Sequence, residues 1–296
     1  MSKTRKALLI GFGAYIGIFV LLIVIYGFTQ HKNNEFQIQN EFKLVNWLSL
    51  GVFSINRAVL YLVIAAVLTV FTMVWIAGRM QARPNKVQTG VEVLFSLMRD
   101  NITRGNMSDS MAAKWFPFLG TLFLFIWFCN LVGYLPLPTN TEEKFTLFGA
   151  HIPSFALYAA TANISVPLVL ALVVFIAFIW VGVKEQGAAG YLKSLIPAGV
   201  HGPMLILIFP IEVISTLMRL LSLTIRLWAN IFAGHIIILF MGGGLAVILG
   251  LQALGWFALP AGIIIYLFEL GLVATLQAFI FATLAAIYIA GAATHH

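Results

Sequence analysis

Long apolar runs set the limits on what this chain can fold into. Four of them have the length of one helix each, and they are Ala7–Phe28, Ala58–Gly78, Trp115–Leu137 and Thr161–Val183. A fifth tract extends almost without interruption from Pro203 to Ile289 and has room for two helices. A helix needs about 20 apolar residues to cross a hydrocarbon core of about 30 Å. The sequence therefore predicts an all-α integral membrane protein with six transmembrane helices.

The rest of the chain argues against several classes of function. Hydrophobic residues make up 61% of the sequence and charged residues 9%, against about 45–50% and about 25% in ordinary soluble domains. The loops are shorter than the roughly 50 residues of a small domain, and no Gly-rich phosphate-binding motif is present. We therefore expect neither an enzyme nor a bound cofactor. The single cysteine, Cys129, lies inside an apolar run, so no cysteine-based metal site is expected either.

Basic residues cluster beside the apolar runs and predict the orientation of the chain. Three Lys or Arg residues lie in Ser2–Lys6, three more lie in Arg79–Lys86, and two follow the fourth run. Cytoplasmic loops are enriched in Lys and Arg. The elements expected on the cytoplasmic side are both termini and the loops Arg79–Lys114 and Lys184–Gly202. Because the clusters are short and separate, nucleic acid is not an expected partner.

One loop contains a candidate surface helix. Its apolar residues recur at helical spacing and are Val87, Val91, Leu94, Phe95, Met98 and Ile102. Charged residues occupy the other faces of the same segment. We expect an amphipathic helix over Val87–Ile102 that lies on the cytoplasmic surface of the membrane.

The C-terminal tract predicts two unusually long helices. A helix from Pro203 to Met241 has 39 residues and would be about 58 Å long at 1.5 Å per residue. Because the hydrocarbon core is only about 30 Å thick, this helix must be strongly tilted or bent. The triplet Gly242–Gly244 is the expected break, and Leu259–Ile289 is the expected second helix. Two tilted antiparallel helices indicate a surface built to contact a neighbouring protein.

A polar stripe runs along the first of these two helices. Its members are separated by 3, 4, 3, 4 and 4 residues and are Glu212, Ser215, Arg219, Ser222, Arg226 and Asn230. At that spacing they share one helix face. An Arg at the centre of a bilayer costs about 2.5–3.5 kcal/mol on insertion scales. This face is therefore expected to contact protein or water rather than lipid.

The two arginines of the stripe allow different interpretations. Glu212 and Arg219 are seven residues apart and could belong to an internal pairing network, or Arg219 could extend to the membrane surface. Arg226 is surrounded by apolar residues and has no acidic residue at i±3 or i±4. We therefore assign Arg226 a functional role and place its carboxylate partner on another subunit.

The polar stripe carries a resemblance to a known family. The letters P-I-E-V-I-S and L-S-L-T-I-R-L-W-A-N-I-F-A-G-H resemble the signature of ATP synthase subunit a, and Gln277 in T-L-Q-A-F-I-F resembles its second mark. Further similarity surrounds Asn130 in F-C-N-L-V-G-Y-L-P and Asn163 in T-A-N-I-S-V-P. The resemblance extends from about Ser54 to the C-terminus. It divides the chain into residues 58–296, which match the family, and residues 1–57, which hold an extra transmembrane helix and an external loop.

The resemblance implies a function in a bacterial plasma membrane. Arg226 would face a ring of proteolipid c subunits, each with one carboxylate, inside an ATP synthase that also has peripheral-stalk b subunits. Two ion half-channels would meet beside Arg226 and couple proton flow to rotation of the ring. The residues implied in the access path are Glu212, His235, Glu269 and Gln277. Asn230 and Gln277 would support Arg226, and the other polar residues of the stripe would have supporting roles.

The sequence departs from the family pattern in two places. The run Ala7–Phe28 is an extra helix, and at 22 residues it exceeds the 7–15 apolar residues of a secretory signal. Family members often carry a polar residue seven positions before the Gln, but here that position is Leu270 and the nearest candidate is Glu269. In an uninterrupted helix, a one-residue offset rotates the side chain by about 100°. A locally paired or protonated carboxyl is therefore a second interpretation of Glu269.

Three more of the site residues also allow a second interpretation. His235 could be a buried structural residue rather than a proton relay, and Asn130 and Asn163 could be interhelical hydrogen-bonding residues.

A self-contained ion-coupled transporter is a second interpretation of the whole chain. It would show paired broken helices in two related halves, which the sequence lacks. A membrane scaffold would not require an unpaired Arg in mid-membrane. Nothing in the sequence distinguishes H⁺ from Na⁺ as the transported ion.

Overall fold

A computed structural model describes residues 3–26, 44, 46–50, 53–79, 85–147, 150–194, 196, 204–244 and 252–293. The helices are α1 (Lys3–Tyr26), α2 (Arg57–Arg79), α3 (Lys86–Ser96), α4 (Asp109–Gly133), α5 (Ser165–Gln186), α6 (Ala188–Ser194), α7 (Met204–Leu239), α8 (Gln252–Phe268) and α9 (Ala274–Ala293). Leu97–Arg104 extends α3, Phe240–Gly244 extends α7, and Glu269–Val273 joins α8 to α9, each as a π-helical segment. The predicted all-α membrane class is confirmed.

Five helices in the part of the chain that the structure describes are long and apolar enough to cross a membrane. They are Arg57–Ile76, Asp109–Gly133, Ser165–Gln186, Met204–Gly242 and Ala258–Ala293. These five match five of the six predicted crossings. The remaining one, Ala7–Phe28, corresponds to α1, and its Gly27 and Phe28 lie outside the described residues. The count of six and the tilt of the last two helices stay predictions.

The chain divides into two compact units. A small unit comprises Met1–Lys43 and Ala233–Leu272, and a large unit comprises Leu44–Phe232 and Val273–His296. In the small unit, α8 packs against α1 and against the π-helical end of α7. In the large unit, α4 packs against α2 and α9, and α9 also packs against α5. The centre of the large unit is α4, whose side chains Leu119, Phe123 and Ile126 are fully buried.

Two loops contain β-hairpins that the hydrophobic pattern did not predict. Strands β1 (Asn46–Leu50) and β2 (Phe53–Asn56) pair antiparallel before α2. Strands β3 (Leu137–Leu147) and β4 (Ala150–Ala156) pair antiparallel between α4 and α5. Hydropathy alone assigns both segments to loops because it identifies only long apolar runs. Pairing satisfies the backbone hydrogen-bonding groups of these segments without a long apolar run.

The predicted amphipathic helix is present. The segment Lys86–Arg104 is helical, and the side chain of Asn85 caps it by accepting a hydrogen bond from the backbone N–H of Gln88 at 2.8 Å. Met98 and Ile102 of the predicted apolar face are buried. Its location on the membrane surface stays a prediction.

The predicted break at Gly242–Gly244 takes a different form from the one expected. The chain remains helical through Gly244 as a π-helical turn, and residues 245–251 lie outside the described residues. The second long helix, expected over Leu259–Ile289, extends from Gln252 to Ala293 and is interrupted by the π-helical segment Glu269–Val273. π-helical turns hold one more residue than α-helical turns and often occur at functional sites.

Candidate functional site

The predicted polar stripe lies on an open face of α7. Five of its six side chains are exposed, and Glu212 is partly buried. On another face of the same helix Leu223, Leu227 and Ile231 are buried, at successive spacings of four residues. The helix therefore buries an apolar face inside the large unit and leaves the polar stripe uncovered in the chain by itself.

Arg226 carries its charge on this open face. Its guanidinium donates a long hydrogen bond of 3.5 Å from Nη2 to the hydroxyl oxygen of Ser222. The ion pairs given for the described residues join Arg99 or Arg104 to Asp100 or Asp109, and none includes Arg226. Within that part of the chain no carboxylate therefore lies within 4.0 Å of Arg226. Such an arrangement suits a cation whose partner belongs to another molecule.

Arg219 has a different environment. Its guanidinium carbon lies 5.8 Å from the centre of the Tyr288 ring, in a cation–π contact. Burial raises the pKa of Tyr191, and the nearby charge of Arg219 offsets part of that rise. No ion pair joins Arg219 to Glu212 among the described residues, and the cation lies over the Tyr288 ring instead. The proposed internal Glu–Arg network is therefore not formed here.

Trp228 connects the stripe helix to the rest of the large unit. Its indole N–H donates to the carbonyl oxygen of Ala162 at 2.9 Å, and its ring stacks on Phe232 with 5.3 Å between ring centres. Both residues lie within two turns of Arg226. These contacts hold α7 so that Arg226 points away from the buried face.

Asn130 joins three elements in the interior. Its amide donates to the carbonyl oxygen of Ala274 at 3.2 Å and accepts from the hydroxyl of Thr161 at 2.9 Å. One turn earlier on α4, the indole of Trp127 donates to the hydroxyl oxygen of Thr275 at 3.0 Å. This geometry is what the interhelical interpretation of Asn130 expects, and it fixes the start of α9 directly after the π-helical segment.

Two further predicted site residues are Asn163, directly before α5, and Gln277, on α9. The side-chain oxygen of Asn163 accepts from the backbone N–H of Ser165 at 3.1 Å, so Asn163 caps the start of α5. Gln277 is only 4% exposed and lies on the buried face of α9. No hydrogen-bond partner for its carboxamide is found among the described residues, so its polar group remains available to another molecule or to water.

The small unit brings His235 and Glu269 into its interior. His235 is 1% exposed and Glu269 is 8% exposed. The Glu269 carboxyl lies directly against Gly234, where an added Cβ would be only 2.7 Å from Cδ of Glu269. Glycine is therefore required at this position if the carboxyl is to approach α7 so closely.

Glu269 begins the π-helical segment. Glu269 lies one residue before the position that is often polar in the family, and in an uninterrupted α-helix it would point in a different direction. The structure, however, has a π-turn at Glu269–Val273. A π-turn absorbs one additional residue. The offset therefore no longer argues against Glu269 as a residue of the ion path. Arg226, Asn230 and Gln277 belong to the large unit.

Sequence reasoning missed a buried arginine at the start of α2. Arg57 is 1% exposed, and its guanidinium carbon lies 5.5 Å from the centre of the Tyr158 ring. Tyr158 in turn contacts the ring of Tyr61 edge to face at 5.7 Å. Burial raises the pKa of Tyr158, and Arg57 offsets part of the rise. The available signal was an Arg directly before a predicted crossing on the side expected to be external.

Comparisons with known proteins show the family to which this chain belongs. Residues 59–290 match the model of the family described as ATP synthase A chain. ATP synthase subunit a of Frankia alni is 32% identical over 266 residues, covering 86% of this chain and 84% of the relative. The protein of the same name from Rubrobacter xylanophilus is 35% identical over 240 residues, covering 80% and 83%, and that from Pelagibacter ubique is 31% identical over 267 residues, covering 89% and 97%. This multi-pass membrane protein belongs to the ATP synthase A chain family.

Proposed function

We propose that this chain is the static side of a rotary ion motor and that Arg226 faces a ring of proteolipid c subunits. Membership of the family assigns the chain to the membrane sector of an ATP synthase complex. The observation that supports the finer assignment is the state of Arg226, which is exposed on an open helix face with no carboxylate near it in the described chain.

The charge of Arg226 controls whether the carboxyl group of a ring subunit is protonated. A carboxyl group on the ring can enter lipid only in its neutral form, because a bare charge in hydrocarbon is costly. Beside Arg226 the opposite charge favours the ionised form. Protonated ring sites therefore leave toward lipid, and deprotonated sites return to Arg226.

Two aqueous half-channels would deliver and remove the proton on either side of Arg226. We assign Glu212, His235, Glu269 and Gln277 to the access path, with Asn230 supporting the geometry of Arg226. The positive charge between the half-channels prevents a direct leak, so an ion crosses only by riding on the ring. Each charge that crosses releases about 2.3 kcal/mol per 100 mV of membrane potential.

The same proposal covers assembly and topology. The chain would be a non-catalytic subunit, since ATP chemistry requires a phosphate-binding motif that its sequence lacks. It would contact peripheral-stalk b subunits and cross a bacterial plasma membrane six times with both termini in the cytoplasm. Residues 58–296 would form the family domain, and residues 1–57 would add a helix and an external loop.

The test is ATP-driven acidification of inverted membrane vesicles that contain the assembled complex. Replacing Arg226 with Ala should reduce pumping by at least about 100-fold, the scale on which loss of one preorganised charge slows a reaction. The variant should also dissipate an imposed proton gradient faster than wild type, because the barrier between the half-channels is gone. Arg226→Lys keeps the charge and shows whether the guanidinium itself is needed.

Arg219→Ala is the matched control. It removes one positive charge from the same stripe of α7 but leaves Arg226 in place, so most pumping should remain. If Arg226→Ala pumps at the wild-type rate in the assembled complex, the mechanism is wrong and the stripe has a packing role. If both variants lose pumping equally, the total charge of the stripe matters rather than the position of Arg226.

A further inference from the structure

An apolar cavity of about 520 Å³ lies between α2, α3 and α4. Its walls include Ile76, Gly90, Leu94, Met98, Gly120 and Trp127. The volume lies within the range of roughly 300–1,000 Å³ typical of small-molecule sites. Four of the lining residues, Met73, Gly90, Phe95 and Pro117, are exposed, so the cavity opens to the surroundings of the chain.

A second pocket of about 270 Å³, the polar pocket, shares Phe116 with this cavity and has three polar side chains in a lining that is otherwise apolar. It is lined by Arg99, Thr103 and Arg104 together with residues at the start of α4. Phe116 lines both spaces, and its ring meets that of Phe95 edge to face at 5.0 Å. The apolar cavity and the polar pocket are therefore adjacent compartments that meet at Phe116.

The polar pocket is surrounded by charges of both signs. Arg99 pairs with Asp100 at 3.5 Å, and Arg104 pairs with Asp100 at 3.7 Å and with Asp109 at 3.4 Å. These side chains are at least 47% exposed, and such surface pairs are weak enough to rearrange around a ligand. Two guanidinium groups and two carboxylates give a local net charge of zero.

Lipid is the natural occupant of the apolar part. Both α2 and α4 contain candidate membrane spans, so their surroundings are hydrocarbon. An empty cavity would leave its lining atoms without van der Waals partners. A segment of acyl chain from the bilayer restores those contacts without having to leave water.

We propose that one zwitterionic aminophospholipid of the phosphatidylethanolamine type binds in these two compartments. An acyl chain fills the cavity between α2, α3 and α4. The phosphate lies near Arg99 and Arg104, and the ammonium lies near Asp100 and Asp109. Because the local charge is balanced, a zwitterionic headgroup matches the pocket better than an anionic one.

The test uses phosphatidylethanolamine with a photoreactive diazirine on one acyl chain, incorporated in nanodiscs with the purified ATP synthase complex. After illumination, peptides of this chain are mapped by mass spectrometry. Label is expected on peptides that contain Leu94 and Leu124. Gly90→Phe should fill the cavity and lower labelling roughly tenfold, which corresponds to about 1.4 kcal/mol of affinity. A Cβ at Gly90 meets no atom within 4 Å, so the variant is expected to fold.

Val93→Phe is the matched control, since it adds a similar ring to α3 at an exposed position that does not line the cavity. It should label like wild type. In the wild-type protein, phosphatidylglycerol with the same photoreactive chain should label less than phosphatidylethanolamine. The double variant D100N/D109N leaves Arg99 and Arg104 without their carboxylate partners and should lose this selectivity, because an anionic headgroup then meets two uncompensated positive charges. Equal labelling by the two lipids, unchanged labelling in Gly90→Phe, or a crosslink to a helix of another subunit in place of lipid would each overturn the proposal.

Discussion

Helices α4 and α7 are both apolar enough to cross a membrane, but they are used in opposite ways. In the most apolar 18-residue stretch of each helix, 56% of the residues of α4 are buried inside the structure, against 6% of those in the corresponding stretch of Met204–Gly242. A polar residue of α4, Asn130, is buried and forms hydrogen bonds with Ala274 and Thr161. Five of the six residues of the polar stripe on α7 are exposed instead. Apolar composition therefore identifies both helices as membrane-spanning but does not show which one forms the core and which one leaves a polar face open.

The largest expected difference between the two helices is in the stability that is lost when a large apolar side chain is replaced with Ala. Phe123→Ala on α4 removes a ring that is 0% exposed, and we expect a loss of about 3 kcal/mol or more in stability. Ile225→Ala on α7 removes a side chain that is 49% exposed, and the change should stay within about 0.5 kcal/mol. Thermal unfolding of the detergent-solubilised chain measures both. Equal losses would show that the face of α7 around Ile225 is part of the core, against the contrast between the two helices.

A second prediction concerns the contact between Gly234 and Glu269. Gly234→Ala puts a methyl group where the Glu269 carboxyl lies, and overpacking of this kind costs about 1–3 kcal/mol. Pumping by the assembled complex should fall because the carboxyl is displaced. Adding Glu269→Asp shortens that side chain by one methylene and should restore part of the pumping relative to Gly234→Ala. If Gly234→Ala pumps at the wild-type rate, or if the double variant pumps no better than Gly234→Ala, the close approach has no functional role.

The smallest expected effect is on the ionisation of Tyr191, a residue of α6 that lies close to Arg219 of α7. Burial raises the pKa of Tyr191 above its ordinary value of 10.0, and Arg219 offsets part of this rise. The stability associated with the neutral phenol is fully present below pH 10 and is lost as the pH rises through the higher pKa of the folded protein. Arg219→Gln should raise the pKa of Tyr191 further. Ultraviolet difference titration against Tyr191→Phe measures the shift, and an unchanged or lower value would contradict the proximity of Arg219.

The positions of the long helices could be predicted because lipid imposes a simple requirement on composition. Runs beginning near Ala58, Trp115 and Thr161 match observed helices, and the amphipathic pattern over Val87–Ile102 matches α3 and its π-helical extension. The polar stripe from Glu212 to Asn230 could also be predicted, since helical spacing is a local property. Its roles in ion transfer stay predictions.

The remaining features depend on contacts that the local sequence does not contain. The approach of Glu269 to Gly234 joins residues 35 positions apart in the sequence, and the burial of Arg57 depends on Tyr158 from a distant loop. The two hairpins lack the long apolar runs on which the prediction relied. The π-helical segment at Glu269–Val273 has no compositional mark, because its residues would also suit an ordinary α-helix.

The π-turn at Glu269–Val273 also affects how this chain should be aligned with its relatives. Such a turn is equivalent to one residue inserted into a continuous helix. An alignment that forbids gaps inside a transmembrane segment would pair Leu270 with the polar position of relatives and misplace Glu269. Allowing a single gap within this helix aligns Glu269 with the position that is often polar in the family. Gap penalties derived from soluble helices are therefore unsuitable for this segment.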